Sequence, residues 1–171
     1  MERTIGFLIG LCLCLRAFWA QPLQVPAAET QEKESYEIYS TVLQAAHPNI
    51  REWVILNKTR GYEFCPPPAP DQDSLYRSML DDYARKNKTT MPLERKFSLD
   101  NYLLVSDTQG AGNTKPSNVV VFSSVGFNPE RTRAAVCFWA NSYGTCSVLV
   151  KSEGIWRMDK DWRGGGCFWA Y

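Results

Sequence analysis

The division of the six cysteines between two parts of the chain is the feature that most constrains its fold. Cys12 and Cys14 lie within an apolar stretch near the amino terminus. The other four lie in the remainder of the chain: Cys65, Cys137, Cys146 and Cys167. An even number of cysteines after a removable leader is typical of an exported domain held by disulfides. Because crosslinked cysteines are not available as nucleophiles or metal ligands, we expect these four to be structural.

Residues 1–20 have the pattern of a signal peptide. Arg3 lies in a short positively charged head, and the apolar run 5–15 is shorter than the about 20 residues that a membrane-spanning helix needs. Ala20 is a small residue at the expected cleavage site. The sequence therefore predicts a secreted or periplasmic protein. Cleavage nearer to Ala27 and an uncleaved amino-terminal anchor are the alternatives.

The rest of the chain is predicted to contain one domain. Residues 21–31 include two prolines and have no periodicity, which indicates a flexible leader. Residues 32–171 then form a single disulfide-bonded domain, long enough to bury about two thirds of its unfolded surface. A core of this size needs no metal ion or cofactor to hold it together.

The charge balance argues against two classes of partner. The chain carries 19 Lys and Arg against 18 Asp and Glu, and the two totals become equal once residues 1–20 are removed. Binding to nucleic acid or to anionic membranes depends mainly on a surplus of basic side chains. We therefore expect no nucleic-acid partner and, after signal cleavage, no membrane partner.

Two helices are predicted in the amino-terminal half. Apolar side chains recur at helical spacing from Tyr36 to Ala46, and Pro48 ends this helix near His47. Asp71 or Asp73 provides an amino-terminal cap for a second helix. Four apolar side chains share one face of that second helix: Leu75, Met79, Leu80 and Tyr83.

The carboxyl-terminal half changes to the alternating pattern of β-strands. Strands are predicted at 52–58, 101–106, 118–124, 133–140, 145–151 and 155–159. The later strands have short connections, which indicates an antiparallel meander. The expected fold is α+β, with two amino-terminal helices packed on a twisted antiparallel sheet of five or six strands. A curved sheet of the nuclear-transport-factor-like or cystatin-like kind is an analogy at the level of the fold.

A predicted hairpin centred on Asn141 and Ser142 places Cys137 directly opposite Cys146. Directly opposite residues on neighbouring strands have Cβ atoms about 4.5 to 5.5 Å apart, close to the separation that a disulfide bridges. The same register pairs four further sets of residues: Ala135 with Val148, Arg133 with Val150, Val136 with Ser147, and Phe138 with Thr145. Both faces of the hairpin are partly apolar, so we expect the helices on one face and loops or the tail on the other.

The remaining cysteines then pair with each other. A Cys65–Cys167 disulfide would tie the proline-rich segment that follows Cys65 to the tail. Four cysteines allow three connectivities, and the other two remain open alternatives.

The segment Ser123 to Met158 resembles the carboxyl-terminal block of small uncharacterised bacterial exported proteins. In that block an S-x-V-G-F-N turn leads into an alternating strand, a turn bracketed by cysteines, and a last K-x-x-G-x-W strand. The resemblance implies bacterial export and a similar fold. It implies no activity and no catalytic residue.

The patterns typical of catalysis and metal binding have structural interpretations in this sequence. His47 is the one histidine, so a site with several histidines is impossible, and its position at a predicted helix end is typical of a structural role. Paired carboxylates occur at three places: Asp71 and Asp73, Asp81 and Asp82, and Asp159 and Asp161. Helix capping and a solvated surface account for the first two pairs. The sequence therefore predicts no catalytic residue, no metal site and no cofactor.

Aromatic side chains crowd the last ten residues of the chain, next to three consecutive glycines: Trp162, Phe168, Trp169 and Tyr171. Such rings form contact surfaces for sugars or proteins, because each gives a large apolar area at low entropic cost. The alternative is that Cys167 anchors the tail and the rings cover an open face of the sheet. A binding surface is predicted at these four residues and at Trp139 and Tyr143 near the hairpin turn.

The function predicted from the sequence is that of an exported, non-enzymatic domain that binds a protein or a glycan in the envelope or extracellular space. Two alternatives belong to other classes: a secreted hydrolase that uses carboxylates, and an inhibitor of a secreted enzyme. Ionisable side chains that converge in a concave site would favour the hydrolase, whereas a filled apolar interior would favour the binding domain.

Overall fold

The computed structural model describes residues 27–60, 74–106, 119–140 and 143–160. Two helices and seven strands lie in these ranges. Their bounds are α1 Ala27–Ala46, β1 Trp53–Leu56, α2 Ser74–Lys86, β2 Tyr102–Val105, β3 Val119–Phe122, β4 Gly126–Phe127, β5 Arg133–Ala140, β6 Tyr143–Ser152 and β7 Ile155–Met158. The α+β class predicted from the sequence is confirmed. None of the helices in these ranges is both long enough and apolar enough to span a membrane.

The seven described strands form one open sheet in the order β2-β1-β3-β5-β6-β7, and the short strand β4 pairs with β5. The part from β3 onward is antiparallel, as the short connections predicted. A two-residue turn at Glu153 and Gly154 joins β6 to β7, and both residues have positive φ. Such a turn matches the twist of the two strands that it connects.

The prediction of an antiparallel sheet is wrong for the amino-terminal strands. β1 pairs in parallel with β2, with Trp53 opposite Tyr102, and in parallel with β3, with Val54 opposite Val119. The chain between β1 and β2 includes α2, and a connection of this length lets the second strand run in the same direction as the first. The sheet is therefore mixed.

The helix α1 packs on one face of the sheet. The buried core on this side combines side chains of α1, of the strands, of the segment before β2 and of the segment between β3 and β4: Tyr36, Ile38, Tyr39, Val42, Leu43, Trp53, Ile55, Leu93, Phe97, Val120, Phe122, Val125, Phe127, Ala134, Val136, Phe138, Leu149 and Trp156. Aromatic rings are in contact across this layer; the Tyr39 and Phe122 centroids lie 4.4 Å apart. Burial of these apolar side chains is the main stabilising contribution on this face.

The helix α2 packs on the opposite face. Its cluster contains Tyr76, Met79, Tyr83, Ala135, Cys137, Cys146 and Val148. The expectation that both helices lie on one face, with loops or the tail on the other, is therefore wrong. Because both faces of the β5–β6 hairpin are apolar, each requires a layer of its own, and α2 in the β1–β2 crossover supplies the second.

The predicted register of the β5–β6 hairpin is confirmed at every pair, including Cys137 opposite Cys146. These two cysteines form a disulfide, with their Cα atoms 4.0 Å apart. The disulfide lies beneath α2 and is nearly inaccessible to solvent. It is therefore part of the core on that face.

Candidate functional site

Two buried serines fix the backbone where β3 ends. Ser123 Oγ accepts a hydrogen bond from the Cys137 N–H at 2.9 Å and donates one to Ser124 O at 3.1 Å. Tyr39 on α1 donates its hydroxyl to Ser123 O at 3.0 Å. Buried polar groups need partners within the protein, and these bonds attach the β3–β4 segment to α1 and to β5.

The same segment is attached to α2 from the other side. Asn87, just after α2, donates from Nδ2 to Ser124 O at 3.1 Å and accepts the Ser124 N–H at Oδ1 at 2.7 Å. A Cβ atom at Gly126 would lie 2.4 Å from Tyr83 Cβ and 2.6 Å from the Tyr83 backbone. The absence of a side chain at this glycine therefore allows α2 to approach β4 closely.

Asn128 organises the turn between β4 and β5. Its Oδ1 accepts the N–H groups of Thr132 and Arg133 at 2.9 and 2.7 Å, and its Nδ2 donates to Glu130 Oε2 and Thr132 Oγ1, both at 2.9 Å. Within this turn Arg131 has a φ of 54°, in the left-handed region that non-glycine residues rarely adopt. The asparagine thus holds Arg131 in a conformation that is unfavourable without these bonds.

A cleft with a volume of about 280 Å³ lies between α2 and this turn. We call it the Lys86–Arg131 cleft. Its lining residues are Ser78, Asp82, Lys86, Phe127, Asn128, Pro129 and Arg131. Lys86 and Arg131 both lie over the Phe127 ring, with Lys86 Nζ 4.9 Å and Arg131 Cζ 4.6 Å from its centroid. The ring attracts both cations electrostatically and helps to hold them in the lining of the cleft.

Asp82 is the carboxylate of this cleft. It forms ion pairs with Lys86 at 2.7 Å and with Arg85, and its Oδ2 accepts the Phe127 N–H at 2.9 Å. Burial raises the pKa of Asp82, but the hydrogen bonds from Lys86 and the Phe127 backbone outweigh burial, so this pKa lies below its ordinary value. Burial also lowers the pKa of Lys86, and the bond to Asp82 offsets that change only in part.

A second carboxylate lies behind Arg131. Glu34 on α1 accepts a hydrogen bond from Arg131 Nε at 2.6 Å and pairs with Lys151 on β6. Arg131 Nη2 also approaches Glu34, but in the described part of the chain no acceptor is aligned with its N–H bonds. The guanidinium has five donors, so Glu34 leaves part of this donor capacity unused.

The cleft can bind an anionic group. Among the described residues that line it, two cations face one carboxylate. The charged groups that contact this lining are the cation Arg85 and the carboxylates Glu34 and Glu130, and Glu34 also pairs with the cation Lys151, so cations outnumber carboxylates by one in this set. Burial is the main cause that lowers the pKa of Lys86, and the like charges of Arg85 and Arg131 lower it further because they disfavour the protonated amine. A carboxylate or phosphate bound there would offset these like charges and accept charge-assisted hydrogen bonds.

Most of the site residues predicted from the sequence lie outside the described residues. These are Cys65, Cys167 and the aromatic tail residues Trp162, Phe168, Trp169 and Tyr171. The pairing of Cys65 with Cys167 and binding by the tail therefore stay predictions. Asp71, Asp73 and Asp161 also lie outside this part of the chain.

Trp139 and Tyr143 are placed at the end of the β5–β6 hairpin. Tyr143 lies opposite Ala140, and Trp139 lies opposite Gly144. The half-buried Trp139 indole extends across Gly144, where a Cβ atom would be only 2.2 Å from the indole Nε1. The tryptophan therefore covers the backbone of the neighbouring strand in addition to any role in binding.

His47 and the carboxylate pairs have different environments. The His47 ring lies 6.0 Å from that of Trp53, and the backbone N–H of His47 donates to Leu43 O at the end of α1. Asp81 is exposed, as expected, but Asp82 is not a simple surface residue because it supports the cleft. Among the described residues, no three His, Cys, Asp or Glu side chains come together as ligands for a metal ion.

Lys86, Arg131 and Asn128 were not predicted as site residues from the sequence. One local signal was present: Asp82 and Lys86 are four residues apart on α2, a spacing that favours an ion pair. The approach of the Asn128–Arg131 turn to that pair depends on the packing of α2 against β4 and has no local signal.

Comparisons of the chain with protein-family models, with curated proteins and with solved structures found no match.

Proposed function

We propose that the protein is an exported, non-enzymatic domain that binds a protein or a component of the cell envelope, and that the Lys86–Arg131 cleft receives an acidic group of this partner. The observation that carries the proposal is the position of Lys86 and Arg131 over one phenyl ring, in a cleft whose described lining contains one carboxylate. The bacterial resemblance and the predicted leader support export.

The way these cations are held supports recognition of a carboxylate or phosphate. Arg131 is fixed by the Asn128 turn and by Glu34, so little conformational freedom is lost when a partner binds. Its planar guanidinium presents parallel donors that match the geometry of a carboxylate. Lys86, donating to Asp82 and to Val125 O at 3.1 Å, is fixed as well.

The hydrolase alternative is less well supported by these residues. Glycoside hydrolysis uses two carboxyl groups whose environments give them different pKa values. Asp82 is the one carboxylate among the described residues of the cleft, and its lowered pKa makes it a poor proton donor near neutral pH. Glu34 is engaged by Arg131 and Lys151. Binding is therefore the function that this arrangement favours.

The inhibitor alternative would use the end of the β5–β6 hairpin. The Cys137–Cys146 disulfide braces this hairpin, and Trp139 lies near its turn. A preorganised hairpin loses little entropy on binding to an enzyme. The analogy with cystatin-like folds agrees with this alternative. Identification of a protease or other enzyme as the bound partner would favour the inhibitor alternative over binding by the cleft.

The proposal is tested by calorimetric titration of the protein with a hexaglutamate peptide at low and at moderate salt. Lys86→Gln and Arg131→Gln each remove one cation. Asp82 retains its ion pair with Arg85, and Glu34 retains its ion pair with Lys151, so neither carboxylate is left without a cation. A hydrogen bond to a charged group contributes about 1.5 to 3 kcal/mol. Each variant should therefore weaken peptide binding by about ten- to a hundred-fold.

Lys88→Gln is the matched control. Lys88 is exposed, follows α2 and does not line the cleft, so the substitution makes the same change in net charge at a neighbouring position. Its effect on affinity should be less than about two-fold at moderate salt, because exposed charges are screened. Equal losses in all three variants, or no binding of the peptide at low salt, would contradict an anion site in the cleft.

A further inference from the structure

The described sheet is open and ends at β2 on one side and at β7 on the other. On its inner side β2 is bonded to the β1 segment, whose N–H groups donate to Asn101 O at 3.2 Å and to Val105 O at 2.8 Å. In a parallel pair the bonds to one neighbour come from alternate residues of a strand. The N–H and C=O groups of Tyr102 and Leu104 therefore point away from β1, and no described residue bonds to them. We call this row of backbone groups the β2 edge.

Both faces of β2 are apolar. Tyr102 and Leu104 pack against the core on the α1 side, and Leu103 on the opposite face is 47% exposed. Residues 101–106 contain no charged side chain and no proline. Charges, prolines and short length are features that protect an edge strand from pairing with another chain. Of these three, β2 has only its length of four residues, so it can accept another strand.

The edge at β7 is different. Asp159 N–H donates to Val148 O within the antiparallel β6–β7 pair, so the alternate residues Trp156 and Met158 direct their backbone groups outward. If two copies paired through these groups, the exposed Arg157 of one copy would lie directly opposite Arg157 of the other. Like charges in that position are destabilising. The β7 edge is therefore protected against self-pairing, whereas the β2 edge is not.

The β2 edge is complementary to a second copy of itself. Two copies can pair in the antiparallel direction about a two-fold axis at Leu103. Tyr102 of each copy then lies opposite Leu104 of the other, and the outward backbone groups of each such pair exchange both N–H···O bonds. Leu103 lies opposite Leu103 of the second copy, on the face where it is exposed. Cross-strand pairs of aromatic and aliphatic side chains stabilise such a pairing, and its two-fold symmetry closes it as a dimer.

We propose that a second copy of this chain pairs with the β2 edge, so that one sheet continues across a two-fold symmetric dimer. Because the pairing strand has four residues, the interface is small and the dimer dissociates readily on dilution. The strand β2 contributes no residue to the described lining of the Lys86–Arg131 cleft, so this inference does not depend on the proposed function.

The first test is sedimentation equilibrium of the full chain from about 10 µM to about 1 mM, a range suited to a small interface. The weight-average mass should rise from that of one chain toward that of two. Hydrogen exchange at the two ends of this range locates the contact. The Tyr102 and Leu104 amides should exchange more slowly at the higher concentration, because they gain acceptors. The Trp156 and Met158 amides at the other edge should not change.

Leu103→Lys is the decisive variant, because Leu103 is exposed and its replacement does not disturb the core. It removes the apolar contact at the two-fold axis and places like charges opposite each other, so association should weaken by at least about ten-fold. The matched control is Ile50→Lys, which makes the same change in charge at an isoleucine that is 44% exposed and lies outside β2. Ile50→Lys, and Lys86→Gln in the cleft, should leave association unchanged.

A mixture of two variants tests the register. Leu103→Glu alone should weaken association as Leu103→Lys does, for the same reason. An equimolar mixture of the two places opposite charges across the axis, so it should associate at least about ten-fold more strongly than either variant alone.

Four results would overturn the proposal. The first is the mass of a single chain at every concentration. If the Tyr102 and Leu104 amides were then protected at every concentration, the β2 edge would be assigned to another segment of the same chain. The second is equal weakening by Leu103→Lys and Ile50→Lys. The third is concentration-dependent protection at Trp156 and Met158 in place of Tyr102 and Leu104. The fourth is a mixture of the two Leu103 variants that associates no more strongly than either alone.

Discussion

Gly126→Ala should separate α2 from the sheet. The added Cβ atom would lie 2.4 to 2.6 Å from Tyr83 Cβ, Cα and N, distances that real Cβ atoms do not show. These Tyr83 atoms belong to the helix or are attached directly to it, so no side-chain rotation relieves the contact. The helix as a whole must move away from β4.

The expected cost comes from overpacking of a close contact. Extra methyl groups in packed interiors typically cost about 1 to 3 kcal/mol, and a contact with backbone atoms belongs at the upper end of that range. We therefore expect Gly126→Ala to lower the free energy of unfolding by about 3 kcal/mol. The measurement is equilibrium urea denaturation, followed by circular dichroism and tryptophan fluorescence.

Gly154→Ala is the control for this prediction. Gly154 has a φ of 79° and no atom within 4 Å of the added Cβ, so the substitution introduces backbone strain without a steric contact. It should cost about 1 kcal/mol. Hydrogen exchange should become faster in α2 of Gly126→Ala and remain unchanged in α2 of Gly154→Ala. A smaller loss of stability in Gly126→Ala than in Gly154→Ala would refute the reasoning from close packing.

Three further predictions concern the disulfide, the cleft carboxylate and the tail. Cys137 and Cys146 are separated by 9 positions, and in the chain-entropy model such a crosslink stabilises the folded state by about 2.6 kcal/mol. The double variant Cys137→Ala/Cys146→Ala should therefore lower the free energy of unfolding, measured by urea denaturation, by at least that amount. The pKa of Asp82 is lowered in the folded state, so the charged carboxylate stabilises the fold at pH values above its unfolded pKa of about 3.9. This stabilisation is lost as the pH falls through the folded-state pKa of Asp82. Asp82→Asn should therefore flatten the decline in stability below about pH 4, and parallel pH profiles for variant and wild type would contradict this. Trp162→Ala/Trp169→Ala should reduce capture of an envelope partner in a pull-down if the tail is a binding surface, and unchanged capture would favour the alternative that these rings cover the sheet.

Local sequence patterns predicted the elements that depend on local physics. The alternation along β5 and β6, together with a short symmetric turn, was sufficient to place Cys137 opposite Cys146. Pro48 indicated the end of α1, which lies at Ala46. In these segments the side-chain pattern and the turn together determine the pairing.

The parallel pairing of β1 had no comparable local signal. Val54 lies opposite Leu103 on one side and Val119 on the other, and both partners are distant in sequence. A short apolar strand fits parallel or antiparallel neighbours equally well, so its direction depends on where the long crossover through α2 leads. The same dependence on distant contacts explains why the Lys86–Arg131 cleft was not predicted.

The contacts of α1 with distant segments determine when in folding its packing is completed. Tyr39 bonds to Ser123, 84 positions later, and Glu34 pairs with Lys151, 117 positions later. The β5–β6 hairpin, in contrast, needs only its own short turn to form. Contacts of high sequence separation form slowly because a long loop must first close. The helix α1 therefore completes its packing only after β3 and β6 have been synthesised, and a chain truncated before β6 would leave part of the apolar face of α1 exposed to aggregation.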